Sequence, residues 1–167
     1  KKSCPICHCK PGPVVFKKRE GILWIRCEVC GLVYKVPEKG GIKADADYYR
    51  TGQMRETVLR RYGDPGSVTP EAAFEEKYEL QWERFLKVKD CVNQNSSILE
   101  IGCGAGGFLH IAAPRVGICS GVELDKEMVD FCRTRLRLNI HDQLLHEIDF
   151  GEKKFDLVCM FHVLEHL

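Results

Sequence analysis

The segment Ile98-Leu99-Glu100-Ile101-Gly102-Cys103-Gly104-Ala105-Gly106-Gly107-Phe108 restricts the fold more than any other part of the chain. An apolar strand runs into a glycine loop and then into an apolar helix start. The glycines stand where a backbone must turn tightly and approach a ligand. The pattern around it alternates: a buried strand over 98–101, a helix over 108–113 and a second strand over 117–122. Residues 126–139 then carry helical periodicity at Met128, Val129, Phe131, Cys132 and Leu136, followed by a weak third strand within 140–145 and a fourth over 155–160. Strands alternating with helices predict a parallel sheet. The expected fold is therefore α/β, a Rossmann-like parallel sheet that is incomplete at about four strands.

The same loop narrows the ligand. Gly102, Gly104 and Gly107 satisfy G-x-G-x-x-G, and Glu123 lies 21 residues beyond Gly102 at the end of the second strand, where a carboxylate grips ribose hydroxyls. An adenosine-containing cofactor follows. Glu100, two residues before the first glycine, would repel the pyrophosphate of a dinucleotide, whereas it suits the ammonium and sulfonium of S-adenosylmethionine. A nicotinamide-dependent dehydrogenase is the rival reading.

A second constraint lies at the other end of the chain. Cys4-Pro5-Ile6-Cys7 and Cys27-Glu28-Val29-Cys30 form C-x2-C-x19-C-x2-C, the spacing of a zinc ribbon. Two knuckles each aim two thiolates at one point, and four thiolates suit tetrahedral zinc, which replaces a core that so short a segment cannot build. Gly31 allows the turn after the second pair. Cys9 in place of Cys7, or His8, are alternative ligands, and a redox C-x-x-C lacks the βαβ pattern it needs. A closed four-thiolate site is structural rather than catalytic.

These signals divide the chain into a β-rich zinc ribbon over 1–40, a connecting arm over 41–70 and the Rossmann-like segment over 71–167. Short strands are expected over 21–26 and 32–36. The arm carries Tyr48-Tyr49 and one short helix near 54–62, and is long enough to drape over a neighbouring site. Thr69-Pro70-Glu71 starts a helix, with Thr69 as N-cap and Pro70 at the first helical position. Phe74, Tyr78, Trp82, Phe85 and Val92 then mark its packed face.

A formal net charge of +1, with 44% hydrophobic and 29% charged residues, gives no polyelectrolyte signature. No apolar run approaches the ~18 residues of a spanning helix. Ten cysteines, four in tight pairs and the rest mostly in apolar segments, read as metal ligands plus reduced thiols, so a cytoplasmic location is expected. No membrane partner is expected.

Glu100-Ile101-Gly102-Cys103-Gly104-Ala105-Gly106 is similar to the glycine motif of class I S-adenosylmethionine-dependent methyltransferases. Gly121-Val122-Glu123-Leu124-Asp125 is similar to their acidic ribose-binding strand end, and Phe155-Asp156-Leu157-Val158 with His162-Val163-Leu164-Glu165-His166-Leu167 to their fourth strand and the helix after it. With the ribbon and the arm in front, the chain also resembles bacterial methyltransferases acting on sugars and other small metabolites. The resemblance implies an enzyme that transfers a methyl group to a small molecule, such as a sugar or sugar nucleotide. It places Glu100, Gly102, Cys103, Gly104 and Gly106 at the methionine end, Glu123 at the ribose and Leu124 at the adenine. Asp142 or Gln143 would meet the adenine edge.

If a helix begins at the strand end, His162, Glu165 and His166 share one face. His162 is then a wall of the cofactor or acceptor pocket, or the general base. Glu165 and His166 resemble the Glu-His pairs of metal-assisted O-methyltransferases, although His162 stands where the RNA-terminal group has its first Glu. The literal H-x-x-E-H string of inverted zinc proteases has no room for a further ligand. Class I methyltransferases have about seven strands, so the chain is expected to be a fragment, with acceptor-determining residues beyond Leu167. The alternative function is an RNA- or protein-binding ribbon, with the Lys17-Lys18-Arg19 run available to nucleic acid, or an RNA methyltransferase.

Overall fold

The computed structural model describes residues 3–18, 22–37, 46–63 and 69–164. The chain forms two compact units, Lys1–Lys43 and Ala44–Leu167. Among the described residues, no helix is long and apolar enough to cross a membrane.

The first unit is an antiparallel sheet in the order β1-β2-β3, made of Val14–Lys18, Ile22–Arg26 and Val33–Pro37. The sequence pattern had marked only β2 and β3. Strand β1 pairs Phe16 with Trp24 and Lys17 with Leu23. Alternation turns Ile25 and Val36 inward, where both are buried.

The second unit opens with two short helices, α1 (Ala46–Arg50) and α2 (Gln53–Tyr62), where one helix was expected. Gly52 separates them in the left-handed region at φ 72. Thr69 caps the next helix as anticipated, its hydroxyl accepting from Ala72 N at 3.1 Å. That helix is not continuous: α3 (Pro70–Glu76) stops at Lys77 and α4 (Tyr78–Val88) begins again there. The break alters the face. Phe85 is buried, but Tyr78 and Trp82 are exposed although the periodicity had turned them inward.

Four strands, β4 (Ser97–Ile101), β5 (Ile118–Val122), β6 (Asn139–His141) and β7 (Leu157–Met160), form a parallel sheet in the order β6-β5-β4-β7. The chain winds outward from β4 to β6 and then returns to the other side of β4. This places the topological switch point between the carboxyl ends of β4 and β7, where open α/β sheets bind ligands. Asp156 sets the register of the returning strand: its carboxylate accepts from Ser97 N at 2.8 Å and Ser97 Oγ at 2.9 Å, and its own N–H donates to Ser97 O at 2.9 Å.

Helix α5 (Gly107–Ala112) follows the glycine loop and contributes Phe108, Leu109, Ile111 and Ala112 to a core shared with Phe85, Ile98, Val129 and Ile140. Helix α6 (Lys126–Thr134) is shorter than its periodicity suggested. Arg137 takes a left-handed conformation at φ 58 and Leu138 N donates back to Cys132 O at 3.0 Å. Leu136 and Leu138 therefore pack against the core from a helix-ending turn rather than from a helix face. No α-helix joins β6 to β7; only a 3-10 turn at Leu145–Glu147 interrupts that connection.

Candidate functional site

In the first unit the sulfurs of Cys4, Cys7, Cys27 and Cys30 all lie within 4.8 Å of one another. Cys4 Sγ is 3.6 Å from Cys30 Sγ, and Cys7 Sγ is 3.4 Å from Cys27 Sγ. The two knuckles have equivalent backbones. Gly31 N donates to Cys27 O at 2.9 Å with Gly31 at φ 75, and His8 N donates to Cys4 O at 3.0 Å with His8 at φ 56. His8 thus fills the position of the first knuckle that glycine fills in the second, a backbone role that spacing alone did not reveal. Cys9 gives its carbonyl to Cys4 N at 3.0 Å and stands outside the four-sulfur group. The N–H of Cys30 beside Cys27 lowers the Cys27 thiol to about 6, which favours a thiolate there. Four convergent sulfurs fit a tetrahedral metal such as zinc.

The second site lies at the carboxyl ends of β4, β5 and β7. Gly102, Gly104 and Gly106 all adopt positive φ, at 70, 53 and 74. A side chain at Gly102 would strike Val163, and one at Gly106 would meet Cys132 Sγ and Leu138 at 2.8 Å. Gly104 differs, since a Cβ there would meet nothing within 4 Å. Two glycines therefore serve packing, while the third borders open space.

The loop's own amides are largely used. Gly102 N and Cys103 N donate to Val122 O at 2.8 and 3.1 Å, Gly106 N to Cys103 O at 2.9 Å, and Gly104 N to Glu123 Oε2 at 2.8 Å. Four donors that could have faced a pyrophosphate are engaged inside the protein. The Glu123 carboxylate also accepts from Leu124 N at 2.6 Å and Asp125 N at 2.9 Å. Burial raises its pKa, and these three N–H groups oppose the shift.

Glu100 is 3% exposed, and its Oε2 is buried with no hydrogen-bond partner among the described residues. Burial holds its carboxyl well above the usual carboxylate range; Arg84 pulls the other way, and Cys132 and Glu123 add to the rise. A buried, orphaned carboxyl oxygen is costly unless something completes it. Cys103 is also buried, its thiol in the core beside Gly121, so at this site it presents backbone rather than sulfur.

The remaining anticipated residues are less closely gathered. Leu124 is half-buried behind Glu123. Asp142 is exposed and held by Arg133, whose Nη2 is 3.2 Å away; the Arg133 hydrogen bond lowers its pKa. Arg133 also donates to Ile140 O at 2.6 Å, which ties the end of β6 to α6. Gln143 is exposed. His162 is exposed with φ 56, so it sits in a left-handed turn, not in the first turn of a helix; the shared helical face does not begin at this residue. Its neighbour Phe161 packs edge-on against Phe108, and Arg84 lies over the Phe161 ring at 4.5 Å. Glu165 and His166 lie outside the described residues.

The arm was expected to drape over a neighbouring site, but the residues through which it touches this region were not anticipated. Arg55 Nε lies 2.6 Å from Asp125 Oδ2, and Arg55 Nη2 lies 2.7 Å from Glu127 Oε2. Tyr49 is close enough for the Glu123 charge to add to the rise that burial and then Tyr48 impose on its phenol. The only hint was Asp125, in the same string as Glu123.

Residues 99–167 match the family described as a methyltransferase domain. Among solved structures the chain is similar to the YcgJ protein from Bacillus subtilis, at 24% identity and TM-score 0.41 over 45% of this chain and 35% of that one. It is similar to DesVI from Streptomyces venezuelae at 22% identity and TM-score 0.43, over 54% of this chain and 42% of that one. CalS10, an amino pentose methyltransferase from Micromonospora echinaspora, matches at 25% identity and TM-score 0.45, over 55% of this chain and 40% of that one. The chain thus spans less than half the length of these structures. No curated protein matches it.

Proposed function

We propose that this chain, whose second unit has the class I S-adenosylmethionine-dependent methyltransferase fold and whose first unit carries a cysteine cluster capable of binding a metal, takes part in methyl transfer to a small-molecule acceptor. The observation that carries the reading is the buried, unpartnered oxygen of Glu100 near the carboxyl end of β4, the strand that leads into the loop where Gly104 has open space. A cationic ammonium would complete that carboxylate. A pyrophosphate would meet like charge and find four loop amides already occupied.

When bound, S-adenosylmethionine supplies an electrophilic methyl group, so the protein's work is alignment and exclusion of water. Glu100 would hold the ammonium, Gly102 to Gly106 would follow the methionine chain, and Glu123 would accept from the ribose hydroxyls. Leu124 would cover the adenine, with Asp142 at its edge, fixed there by Arg133. His162, at the carboxyl end of β7, would form a wall on the acceptor side. Cys4, Cys7, Cys27 and Cys30 would hold zinc as the structural centre of a ribbon over 1–40. The acceptor class we favour is a sugar or sugar nucleotide.

Calorimetry on Gly104→Leu tests the cofactor reading. S-adenosylmethionine binding is expected to vanish while the far-UV circular dichroism is retained; undiminished affinity would sink the assignment. A parallel titration with NADH should give no binding, and saturable NADH binding would instead favour a dehydrogenase.

A further inference from the structure

We propose that Arg55 is a positioning residue that latches the helical arm α1–α2 over the ribose and adenine end of the cofactor site, so that cofactor exchange requires its ion pairs with Asp125 and Glu127 to open. The inference rests on the cofactor reading above. Arg55 and Asp125 are 70 residues apart in sequence, yet their side chains are 11% and 10% exposed and meet through Nε at 2.6 Å and Nη2 at 3.3 Å. The acceptor is held from its own side. Asp125 caps α6, taking Glu127 N at 3.1 Å and Met128 N at 3.3 Å on Oδ1, which leaves Oδ2 for Arg55 Nε.

Among the described residues, the arm's aliphatic side chains are poorly buried. Helix α1 buries no residue, and on α2 Met54 and Leu59 are exposed. Tyr48, Tyr49 and Val58 are only half-buried, so apolar burial holds the arm weakly and its polar contacts weigh heavily in where it lies. Those contacts fall on the two loops that carry the proposed adenosine residues. Arg55 reaches the loop after β5, two residues beyond Glu123, and Arg50 Nη2 approaches Glu147 Oε2 at 3.8 Å in the segment after β6. Gly52, buried at the turn of the arm, lies so close that an added Cβ would come within 3.6 Å of Asp125 Oδ2. A partly buried, multidentate pair of this kind costs much more to break than an exposed one.

The test follows S-adenosylhomocysteine dissociation by stopped flow, and amide exchange over 46–62 by mass spectrometry, in the full chain and in Arg55→Ala, Arg55→Lys and Glu127→Gln. The dissociation rate is expected to rise about tenfold or more in Arg55→Ala. Arg55→Lys, which keeps the charge but loses the fork, should fall between wild type and Arg55→Ala. Glu127→Gln removes only the outer, exposed partner and should show a smaller rise without threatening the fold. S-adenosylhomocysteine should slow arm exchange in wild type and fail to do so in Arg55→Ala, a difference that a generally weakened fold would not produce. Equal dissociation rates with equal arm protection in wild type and Arg55→Ala overturn the latch alone. A wild type that binds no S-adenosylhomocysteine overturns the cofactor reading, and the latch with it.

Discussion

In the first unit the side chains buried among the described residues are Cys4, Ile25, Cys27 and Val36, two of them members of the four-sulfur group. The second unit buries Phe108, Ile98, Leu109, Ile111, Met128, Val129 and Ile140 in its core region. Both units hold short strands together, but among the described residues one has almost no apolar interior and the other is built around one. A three-stranded sheet with two buried aliphatic side chains among its described residues falls short of the chain entropy it must overcome, a shortfall that a metal held by the four convergent sulfurs would make up. The parallel sheet needs no such staple.

The sharpest way to break this comparison is to remove the metal ligands. Cys27→Ser, or a strong chelator, is expected to unfold the first unit, because structural zinc contributes on the order of 10 kcal/mol to such modules. Two-dimensional NMR of the full chain should show Ile22–Arg26 amides collapsing to random-coil positions while those of Ser97–Ile101 stay dispersed. Concerted loss of both sets would mean that the units do not hold themselves together separately.

The reciprocal change probes the second unit. Phe108 is 1% exposed and contacts the rings of Phe85 and Phe161 at 6.3 and 5.3 Å. Phe108→Ala should cost about 3–5 kcal/mol through lost burial and the cavity left behind. Its thermal midpoint should fall while the zinc content measured by atomic absorption stays unchanged. A drop in bound zinc would show that the ribbon leans on the sheet.

What could be read from the sequence follows the same division. The paired cysteines and the glycine loop were legible because ligand spacing and positive φ are local demands that leave a mark within a few residues. The parallel sheet was legible from its alternating pattern, as the order β6-β5-β4-β7 reflects. The end of α6 was not, since Leu136 and Leu138 look helical in sequence and leave the helix only because Arg137 turns left-handed. Nor was the arm. Arg55 is one charge on a short polar helix, and only folding brings it to Asp125. Asp142, with Gln143, was expected at the adenine edge, and its ion pair with Arg133 of α6 is one that no local pattern announces.

Glu100 marks the point at which the second unit departs from the logic of a buried core, and the smallest predicted effect lies there. Its folded-state pKa is raised above the ordinary 4.5, chiefly by burial, so the folded protein holds a proton that the unfolded chain releases. The stability contributed by that proton is fully present below the ordinary value and declines as pH rises toward the raised one. Glu100→Gln keeps the neutral shape and removes the titration. The cofactor-free variant should therefore gain thermal stability over wild type as pH increases across that window, with little difference at its acid end. Ligand binding should respond in the opposite sense. In wild type, S-adenosylmethionine affinity should grow with pH as Glu100 sheds its proton to meet the ammonium, with calorimetry recording proton release. The variant should lose that dependence together with a charge-assisted hydrogen bond of about 1.5–3 kcal/mol, on the order of 10- to 100-fold in affinity. A variant with unchanged affinity and an unchanged pH profile would show that Glu100 is an ordinary core residue after all, and the contrast between an apolar interior and a poised polar site would disappear.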